Sequence, residues 1–443
     1  MPSNPKILTR TVLLVSFVSL FTDVASEMLY PIMPVYLKSI GFSILLIGIL
    51  EGVAEATAGL SKGYFGHLSD IKQKRVPFVR AGYTLSAISK PLMALLTFPL
   101  WIFFARTLDR FGKGIRTSAR DAMLSDETTP EHKGKVFGFH RSMDTVGAAI
   151  GPILALIYLW FYPGQYKWMF FIAFFPGLVA IGLTFLLKDK RADKRTGGRV
   201  DKRTGGQADR RTGGQADKRT GGQADGSTPS AHQQITTSTN QHINTSANPG
   251  FFSYLRYWTR ASSGFRFLVA GLLVFTLFNS SDAFLLLALK DKNLSDPMMI
   301  GVYIFYNLVY ALFSYPAGVL ADRIGLRTIM IFGLFLFAIV YFAMGFATSL
   351  VFFGVLFFLY GIYAACVEGI SKALISNMAD KADTATAIGF YNSLASIFTL
   401  LASSLAGVLW YTIGPKAMFM ISGVGVFGVV IYLLVVFRSF PKR

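Results

Sequence analysis

The stretch GHLSDIKQKR, residues 66–75, returns 252 residues later as GVLADRIGLR, residues 318–327. At an offset of 251, DAMLSD (121–126) matches KALISN (372–377), and three single positions also match: Gly138, Phe139 and Ser142 with Gly389, Phe390 and Ser393. Parallel repeats of this kind occur in membrane proteins whose halves are related by an axis along the membrane normal. The duplication therefore predicts two equivalent halves read in the same direction.

The composition is that of a membrane protein. The chain has 443 residues, 53% of them hydrophobic and only 15% charged, with a mean hydropathy of +0.48. This is too apolar for a soluble protein of that length. A helix needs about 20 mostly apolar residues to cross a bilayer. Twelve such runs occur, at residues 11–37, 43–65, 78–97, 99–123, 135–161, 168–187, 266–289, 298–320, 328–347, 350–376, 384–411 and 417–437.

The order of these runs predicts an all-α membrane protein with two six-helix bundles. The first run is too long for a cleavable signal peptide, carries two acids and is followed closely by a second run, so we expect it to stay in the mature protein. The single cysteine, Cys366, lies in the tenth run, which excludes an intrachain disulfide. We expect Cys366 to be a small packing residue.

The net charge of +19 follows the positive-inside rule rather than indicating a nucleic-acid partner. Basic residues fall in alternate loops, which predicts that both termini are cytoplasmic. Residues 188–266 hold 15 Lys or Arg against 6 Asp, so this one connection supplies +9 of the charge. The basic residues of the other loops on this side are Lys6, Arg10, Lys72, Lys74, Arg75, Lys133, Lys135, Arg323, Arg327, Arg438, Lys442 and Arg443.

The middle of the chain predicts a disordered cytoplasmic linker, residues 188–250, between an N-terminal bundle (1–187) and a C-terminal bundle (251–443). Four tandem eight-residue units, DKRTGGRV, DKRTGGQA, DRRTGGQA and DKRTGGQA, lead into a Ser, Thr, Gln and Asn tract. Such a polar, glycine-rich segment cannot bury enough apolar surface to fold. It could be a spacer or a docking site. The aromatic and basic stretch FFSYLRYWTRASSGFRFL that follows predicts a short helix at the membrane surface.

The duplicated loop carries a family resemblance. The second copy has Gly318, Asp322, Arg323, Gly325 and Arg327 in the pattern G-x-x-x-D-R-x-G-R-[KR] of the major facilitator superfamily, and the resemblance covers nearly the whole chain outside the linker. The family implies two six-helix bundles that alternate in access. It also implies that the loops gate the cytoplasmic face, where glycines let helices approach and Asp and Arg lock the closed state.

The first copy of the loop keeps four residues of the pattern, Gly66, Asp70, Lys74 and Arg75. It has Ile71 and Gln73 at positions where the family usually has Arg and Gly.

The fifth run resembles the antiporter motif of the superfamily's drug and metabolite exporters. Gly138 is followed after eight residues by Gly147 and after three more by Gly151 and Pro152. The final glycine of that motif is replaced by Leu156. Glycines at helical spacing permit close packing, and proline permits a bend. The resemblance implies export by exchange. The branch of the superfamily that the chain resembles is prokaryotic, and its members are known mostly only as transporters. This branch therefore implies the inner membrane but no substrate.

Ionisable residues inside the runs are the candidate functional residues, because charges in a membrane normally face a cavity or a partner. Asp23 and Glu27 are i and i+4, as are Glu51 and Glu55, and Arg106 and Arg110, so each pair shares one helix face. Two close carboxylates in a low dielectric cannot both ionise cheaply, so one is expected to hold a proton near neutral pH. Asp282 is the principal candidate in the second half.

Other interpretations of these charges remain open. Glu51 or Glu55 could pair with Arg106 or Arg110, and Asp144 with Lys113 or Arg141. The charges of the fourth run nearer the cytoplasm are expected to form a structural network of the inner gate: Asp109, Arg110, Lys113, Arg116 and Arg120. His140 is either a proton relay or a hydrogen-bonded core residue.

The first functional hypothesis is a proton-coupled exporter of a small organic solute. It uses the proton gradient and no cofactor, with Asp23, Glu27, Glu51 and Glu55 as proton or cation sites and Arg106 and Arg110 tuning them or meeting an anion. An uptake symporter for an anionic metabolite, drawn by Arg106, Arg110 and Lys90, is the second hypothesis. A membrane receptor or scaffold that does not transport is the third.

The chain lacks a G-x-x-x-x-G-K-[ST] loop and any convincing zinc or nucleophile constellation, so we expect neither an ATP-driven pump nor an enzyme, and no metal. The expected partners are the substrate, protons and the lipid bilayer, and we expect a monomer.

Overall fold

The computed structural model describes residues 8–30, 32–189, 249–290 and 296–439, and within these ranges the regular structure is helical. The predicted linker falls largely outside the described residues. Residues 1–189 and 248–443 belong to one compact unit. The helices are α1 (Arg10–Glu27), α2 (Met33–Ser39), α3 (Ile44–Ile71), α4 (Val76–Leu95), α5 (Pro99–Asp126), α6 (Lys133–Phe161), α7 (Tyr166–Thr184), α8 (Tyr257–Arg260), α9 (Ser263–Phe278), α10 (Asp282–Lys290), α11 (Asp296–Ile324), α12 (Leu326–Met344), α13 (Leu350–Met378), α14 (Thr384–Ile413) and α15 (Pro415–Ser439).

Every predicted run contains a helix, but the first and the seventh are each divided in two. The first breaks between α1 and α2, where Pro34 occupies the first turn of α2 and costs no helical hydrogen bond there. The seventh breaks between Phe278 and Asp282, at Asn279, Ser280 and Ser281. Short polar side chains of this type compete with helical backbone hydrogen bonds. The prediction of one continuous helix was wrong at both places.

Among the described residues, seven helical stretches are long and apolar enough to cross a membrane. An eighth is added if α9 is counted as one span together with α8 and the 3-10 turn before α8, which are bent by 119° from α9. Hydropathy alone does not identify α5, which carries several charged residues along its length. The seven stretches are Pro130–Phe161, Tyr166–Thr184, Gly301–Ile324, Leu326–Met344, Leu350–Met378, Lys381–Ile413 and Pro415–Ser439.

The packing of the helices repeats in the two halves. In the first half α3 packs on α5 and α4 on α7, and in the second half the equivalent helices pack in the same way, α11 on α13 and α12 on α15. The two most extensive interfaces between the halves, among the described residues, are α3 with α14 and α6 with α11. Because α3 corresponds to α11 and α6 to α14 in the sequence repeat, the two interfaces are equivalent under the predicted pseudo-twofold relation.

The apolar core differs between the halves. The second half has one large apolar cluster, whereas the first half has two separate clusters. One of these contains Met28, Met93 and Ala105, and the other contains Val18, Tyr83 and Ala119. Along each of α1, α4 and α5, the charged residues come between the residues that belong to one cluster and those that belong to the other. The first half therefore has a polar layer in its interior.

Candidate functional site

A small polar cavity lies in the first half, between α1, α4 and α5. Its wall combines three acidic and five basic side chains. In a membrane protein such a cluster is costly unless it meets water, ions or a ligand. The lining residues are Asp23, Ser26, Glu27, Leu29, Tyr30, Ser86, Lys90, Met93, Arg106, Asp109, Arg110, Lys113 and Arg116.

Asp23 and Glu27 both line this cavity, as their spacing on α1 predicted they would lie on one face. Among the described residues neither carboxylate has a hydrogen-bond or ion-pair partner within the chain. Both side chains are only partly buried. They are therefore available to a proton or to a ligand that enters the cavity.

Glycines of α6 set the position of α1 at these two carboxylates. A Cβ atom added to Gly147 would lie 2.5 Å from the carbonyl oxygen of Leu20 and 3.0 Å from Cβ of Asp23. A Cβ atom added to Gly151 would lie 2.6 Å from the backbone nitrogen of Met28. The predicted glycine row, with Pro152 inside the same helix, thus brings α6 against the segment of α1 that bears Asp23 and Glu27.

The other two predicted carboxylates are paired with arginines. Glu51 accepts two hydrogen bonds from Arg106, from Nε at 2.8 Å and from Nη2 at 2.9 Å. Glu55 lies 3.6 Å from Nη1 of Arg110. Arg106 is largely buried, with 9% of its side chain exposed, while 37% of the Glu51 side chain is exposed. Both pairs match the alternative interpretation that Glu51 and Glu55 neutralise Arg106 and Arg110.

Lys90 and Asp109 form a second neutralised pair on the cavity wall. Lys90 Nζ lies 3.6 Å from Oδ1 of Asp109, and Ser86 donates a hydrogen bond of 2.6 Å to the same oxygen. Arg106 lies 3.5 Å from the other carboxylate oxygen. Ser89 also donates a hydrogen bond of 3.3 Å to Oδ1, so the carboxylate of Asp109 is held by four groups, which makes it a structural element of the wall.

Two basic side chains of the wall have no carboxylate within 4 Å among the described residues: Lys113 and Arg116. The guanidinium of Arg116 lies 4.6 Å from the ring centroid of Tyr83, and its Nη1 is buried without a hydrogen-bond partner. A buried cation of this kind is costly unless an anion or water compensates it. The cavity therefore offers two cations that no carboxylate of the described residues contacts directly.

The interpretation of Asp109, Arg110, Lys113 and Arg116 as part of an inner-gate network stays a prediction, and all four line the cavity. These residues follow Arg106 by three, four, seven and ten positions, which places all of them on one face of α5. This spacing was the sequence signal that could have located them together on the cavity wall. The depth of each residue in the bundle depends on how α5 packs, which the sequence does not specify. Arg120, the fifth residue of that set, binds Asp121 at 2.9 Å and Ser19 at 3.0 Å.

Asp282, the first residue of α10 in the second half, is not among the residues that line this cavity. Its Oδ1 accepts a 2.7 Å hydrogen bond from the hydroxyl of Tyr360. Tyr360 is surrounded by further tyrosines, with ring centroids at 5.1 Å for both Tyr306 and Tyr363. The structure therefore does not bring Asp282 together with Asp23 and Glu27 in one cluster.

The predicted gating residues lie at the end of the bundle that carries the loops 72–75, 127–132 and 379–383, here called the basic end. Asp70 accepts hydrogen bonds from the backbone nitrogen of Thr386 at 2.6 Å and from its hydroxyl at 2.7 Å. Asp322 accepts from the backbone nitrogens of Gly134 at 2.8 Å and Lys135 at 2.9 Å. Each carboxylate thus caps the start of a helix in the opposite half.

Glycines at the same end allow the halves to touch through their backbones. A Cβ atom on Gly66 would meet the carbonyl oxygen of Ala385, and one on Gly138 would meet that of Ser314, at 2.5 and 2.6 Å. A Cβ atom on Gly318 would overlap the carbonyl oxygen of Gly134. The close approach of α3 to α14 and of α6 to α11 therefore depends on these glycines.

The remaining predicted gating residues make other contacts. Arg75 Nη1 lies 2.5 Å from Oδ1 of Asp70, and Gly325 has a φ of 107° at the start of α12, a conformation that favours glycine. The Arg327 guanidinium lies 4.9 Å from the ring centroid of Phe437. Lys74 and Arg323 are exposed.

Several contacts between the halves involve residues outside the predicted site, and two of them use buried or partly buried charged side chains. Lys372 Nζ of α13 lies 2.9 Å from Oδ2 of Asp121 of α5, whose side chain has no exposed surface. Arg141 of α6 donates a hydrogen bond to the hydroxyl of Tyr310 on α11. The sequence signal for the first contact was present, because Asp121 and Lys372 occupy equivalent positions in the repeat, DAMLSD and KALISN.

Among the described residues no group of three or more His, Cys, Asp or Glu side chains could hold a metal ion. His140, which is buried, lies 3.7 Å from Oδ1 of Asp144, and neither ring nitrogen has a hydrogen-bond partner. The hydrogen-bonded core interpretation of His140 therefore does not describe its environment.

Comparison with known proteins identifies relatives along most of the chain. A family model described as Major Facilitator Superfamily matches residues 15–305 and 267–443. An uncharacterised MFS-type transporter of Methanocaldococcus jannaschii is 30% identical over 426 residues, which cover 95% of this chain and 93% of that protein. The staphyloferrin B transporter of Staphylococcus aureus is 31% identical over 131 residues, 28% of this chain and 31% of that protein.

A solved structure has the same architecture. The human organic anion transporter MFSD10 superimposes with a TM-score of 0.69, covering 97% of this chain and 100% of that chain at 17% identity. At this identity the likeness shows the fold alone. Shorter parts of the chain match proteins named as a citrate exporter and as a multidrug efflux pump. These relatives are transporters and not enzymes.

Proposed function

Because the chain belongs to the Major Facilitator Superfamily and is an integral membrane transporter, we propose that it exports a small organic anion in exchange for protons. The fold prediction of two six-helix bundles is confirmed by the family match and by the solved structure of the same architecture. The anion binds in the cavity between α1, α4 and α5. The proton gradient supplies the energy, and no cofactor takes part.

The observation that carries this proposal is that Lys113 and Arg116 on the cavity wall have no carboxylate within 4 Å among the described residues, and that Nη1 of Arg116 is buried without a hydrogen-bond partner. The other three cations already face carboxylates: Lys90 and Arg106 face Asp109, and Arg110 faces Glu55. A carboxylate ligand would bind the two remaining cations through charge-assisted hydrogen bonds. The ligand would thereby replace the protein carboxylate that these two side chains lack.

Proton exchange is assigned to Asp23 and Glu27. Both carboxylates face the cavity and make no ion pair or hydrogen bond among the described residues. Hydroxyl or amino groups of the ligand donate more strongly to these oxygens while the carboxylates are ionised than after they take up protons. Ligand and proton then compete for the same two groups, which is the condition for exchange.

The direction of transport is supported by two observations. The row of Gly138, Gly147 and Gly151 resembles the motif of exporters, and Gly147 and Gly151 hold α1 at Asp23 and Glu27. Proteins named as an exporter and as an efflux pump match parts of the chain. We place the chain in a prokaryotic inner membrane as a monomer, with the basic end and both termini in the cytoplasm.

Uptake of an anion together with protons is the second candidate, and the charge balance favours it. Lys113 and Arg116 are balanced by Asp23 and Glu27 while both carboxylates are ionised. An anion that binds the two cations restores this balance when the carboxylates take up protons. Anion and protons would then bind together and move in one direction.

The anion proposal is tested by ligand-induced stabilisation of the purified full-length protein. Succinate and citrate, glucose as a neutral ligand and tetraphenylphosphonium as a cation are compared by thermal unfolding, since a ligand that binds the folded state raises the unfolding temperature. We expect stabilisation by a carboxylate, its loss in Lys113→Gln and its retention in the control Lys167→Gln, whose side chain is exposed on α7. Stabilisation by tetraphenylphosphonium with no response to either carboxylate would contradict the proposal.

The coupling is tested in proteoliposomes that contain the stabilising anion and a pH-sensitive dye. Outward movement of the anion should drive protons inward if the carrier exchanges them, and outward if it is a symporter. Asp23→Asn should abolish flux driven by a pH gradient while the protein stays folded. Unchanged flux in this variant would exclude Asp23 as the proton site.

A further inference from the structure

The short segment Phe251–Trp258, which precedes α9, places one tyrosine deep inside the bundle. Tyr254 lies in a 3-10 turn, Ser253–Arg256, and is 1% exposed. Its hydroxyl is 2.8 Å from Oγ of Ser393 on α14. The sequence had predicted a helix at the membrane surface, but this tyrosine is buried within the protein.

The recess that holds Tyr254 exists because residue 63 of α3 is glycine. A Cβ atom added at Gly63 would overlap the ring atoms Cε2, Cζ and Cδ2 of Tyr254. The tyrosine ring therefore packs directly against the backbone of α3. One face of the side chain contacts the first half, and its hydroxyl is bound to the second half.

Neighbouring aromatic residues repeat this division between the halves. The ring of Phe251 is stacked on that of Tyr64 of α3, with centroids 5.1 Å apart and planes inclined by 28°. The ring of Trp258 is stacked on Phe390 of α14 at 5.8 Å. Residues 251–254 thus contact the first half. Trp258 instead packs on the second half, to which the segment is covalently joined.

Tyr254 lies on the seam between α3 and α14 near the basic end. Around it the seam is closed by backbone contacts, since a Cβ atom on Gly389 would lie 2.6 Å from the carbonyl oxygen of Lys62. Lys62 Nζ also lies 3.2 Å from Oγ of Ser396. Opening of the basic end requires α3 to move away from α14, and this movement must pull the ring of Tyr254 from α3.

We propose that residues 251–254 are a strap that holds the basic end closed, with Tyr254 as its anchor between Gly63 and Ser393. A large buried aromatic side chain between two bodies is the type of contact that dominates the energy of an interface. The strap is independent of the substrate and of the direction of transport. The strap begins directly after the predicted linker, residues 188–250. A structural change in the linker can therefore be transmitted through the strap to the closed basic end.

The proposal is tested by measuring the distance across the seam in the full chain without ligand. Cys366 is replaced by Ala, and spin labels are attached through Lys72→Cys and Lys381→Cys, both exposed and on opposite sides of the α3 to α14 interface. Pulsed electron paramagnetic resonance then gives the populations of short and long distances. Tyr254→Ala should raise the ratio of long to short distances by roughly tenfold, as expected for loss of an interface anchor.

Two further variants separate a strap from ordinary packing. Trp258→Ala removes an aromatic side chain that stacks on Phe390 within the second half, so it should leave the distance distribution unchanged. Gly63→Ala should open the seam by expelling the ring of Tyr254. In a Tyr254→Ala background the same glycine substitution should have no additional effect, because no ring remains to be expelled.

Several results would overturn the strap. These are an unchanged distribution in folded Tyr254→Ala, an equal shift in Trp258→Ala, or a Gly63→Ala effect that persists without Tyr254. If Tyr254→Ala does not fold, Tyr254→Phe replaces it, because it keeps the ring and removes only the hydrogen bond to Ser393. That variant should produce a smaller opening in the same direction, and its failure to change the distribution would count against the anchor.

Discussion

Asp322, at the end of α11, accepts a 2.8 Å hydrogen bond from the backbone nitrogen of Gly134 at the start of α6 in the opposite half. The equivalent carboxylate, Asp70 of α3, accepts a 2.6 Å hydrogen bond from Thr386 at the start of α14. The first amides of a helix lack intrahelical partners and carry partial positive charge, so both contacts are favourable. Each half thus caps a helix of the other, and separation of the halves at the basic end breaks both caps.

We expect Asp322→Asn and Asp70→Asn each to favour the state that is open at the basic end. Loss of the charge at a helix start costs about 1 kcal/mol, which corresponds to about a fivefold change in the equilibrium. The spin-label pair at positions 72 and 381 measures this change for Asp70. Glu131→Gln, which removes an exposed carboxylate at the same end of the bundle, is the control and should leave the distances unaltered.

The glycine row of α6 should not tolerate alanine. Gly147→Ala and Gly151→Ala each place a methyl group against the backbone of α1, and overpacking of this kind costs about 1–3 kcal/mol. We expect a lower unfolding temperature in detergent and loss of proton-driven flux, because α1 carries Asp23 and Glu27. Gly182→Ala is the matched control, since a Cβ atom there meets nothing within 4 Å. Equal loss in the control would show that the approach of α6 to α1 is not the cause.

The pair of Glu51 and Arg106 should contribute more to stability than the pair of Glu55 and Arg110. Glu51→Gln removes a charge that receives two short hydrogen bonds, which costs about 1.5–3 kcal/mol. Glu55→Gln removes an ion pair at 3.6 Å from a carboxylate whose side chain is 48% exposed, and should cost less. Thermal unfolding of the two variants compares them. A larger loss in Glu55→Gln would mean that the pairing at Arg110 dominates.

The buried contact of Lys372 with Asp121 should depend on charge. Lys372→Gln leaves Asp121 with only Arg120 as a charged partner, so we expect a lower unfolding temperature and slower transport. Lys372→Arg keeps the charge and should retain most of both. If glutamine and arginine at this position have the same effect, the contact acts through packing and not through charge.

Much of the fold could be predicted from the sequence, because its signals are local or repeated. Apolar runs of the right length located a helix in every predicted span, and the repeat of GHLSDIKQKR as GVLADRIGLR predicted the two equivalent halves. The breaks at Asn279 and before Pro34 were missed, since average hydropathy is not sensitive to a few polar residues. The domain boundaries at 187 and 250 and the roles of the gating loops stay predictions.

The candidate site was predicted only in part. The spacing of Asp23 and Glu27 correctly placed both on one face, and the pairing of Glu51 with Arg106 was one of two open interpretations. The positions of Lys113 and Arg116 on the cavity wall were missed, because the charge pattern of α5 gives a direction around the helix and no depth in the bundle. The burial of Tyr254 had no sequence signal beyond the aromatic composition of its segment.

The sequence by itself determined where the helices lie, that the halves are equivalent and which helix faces carry charge, because these properties depend on neighbouring residues along one helix or on a repeat. Only the tertiary structure decided which charges pair directly. Arg106 and Glu51 are 55 positions apart and become a pair, while Lys113, seven residues after Arg106, has no carboxylate within 4 Å among the described residues. Whether a charge is neutralised inside the protein depends on which helices meet, and that is set by packing across the whole bundle.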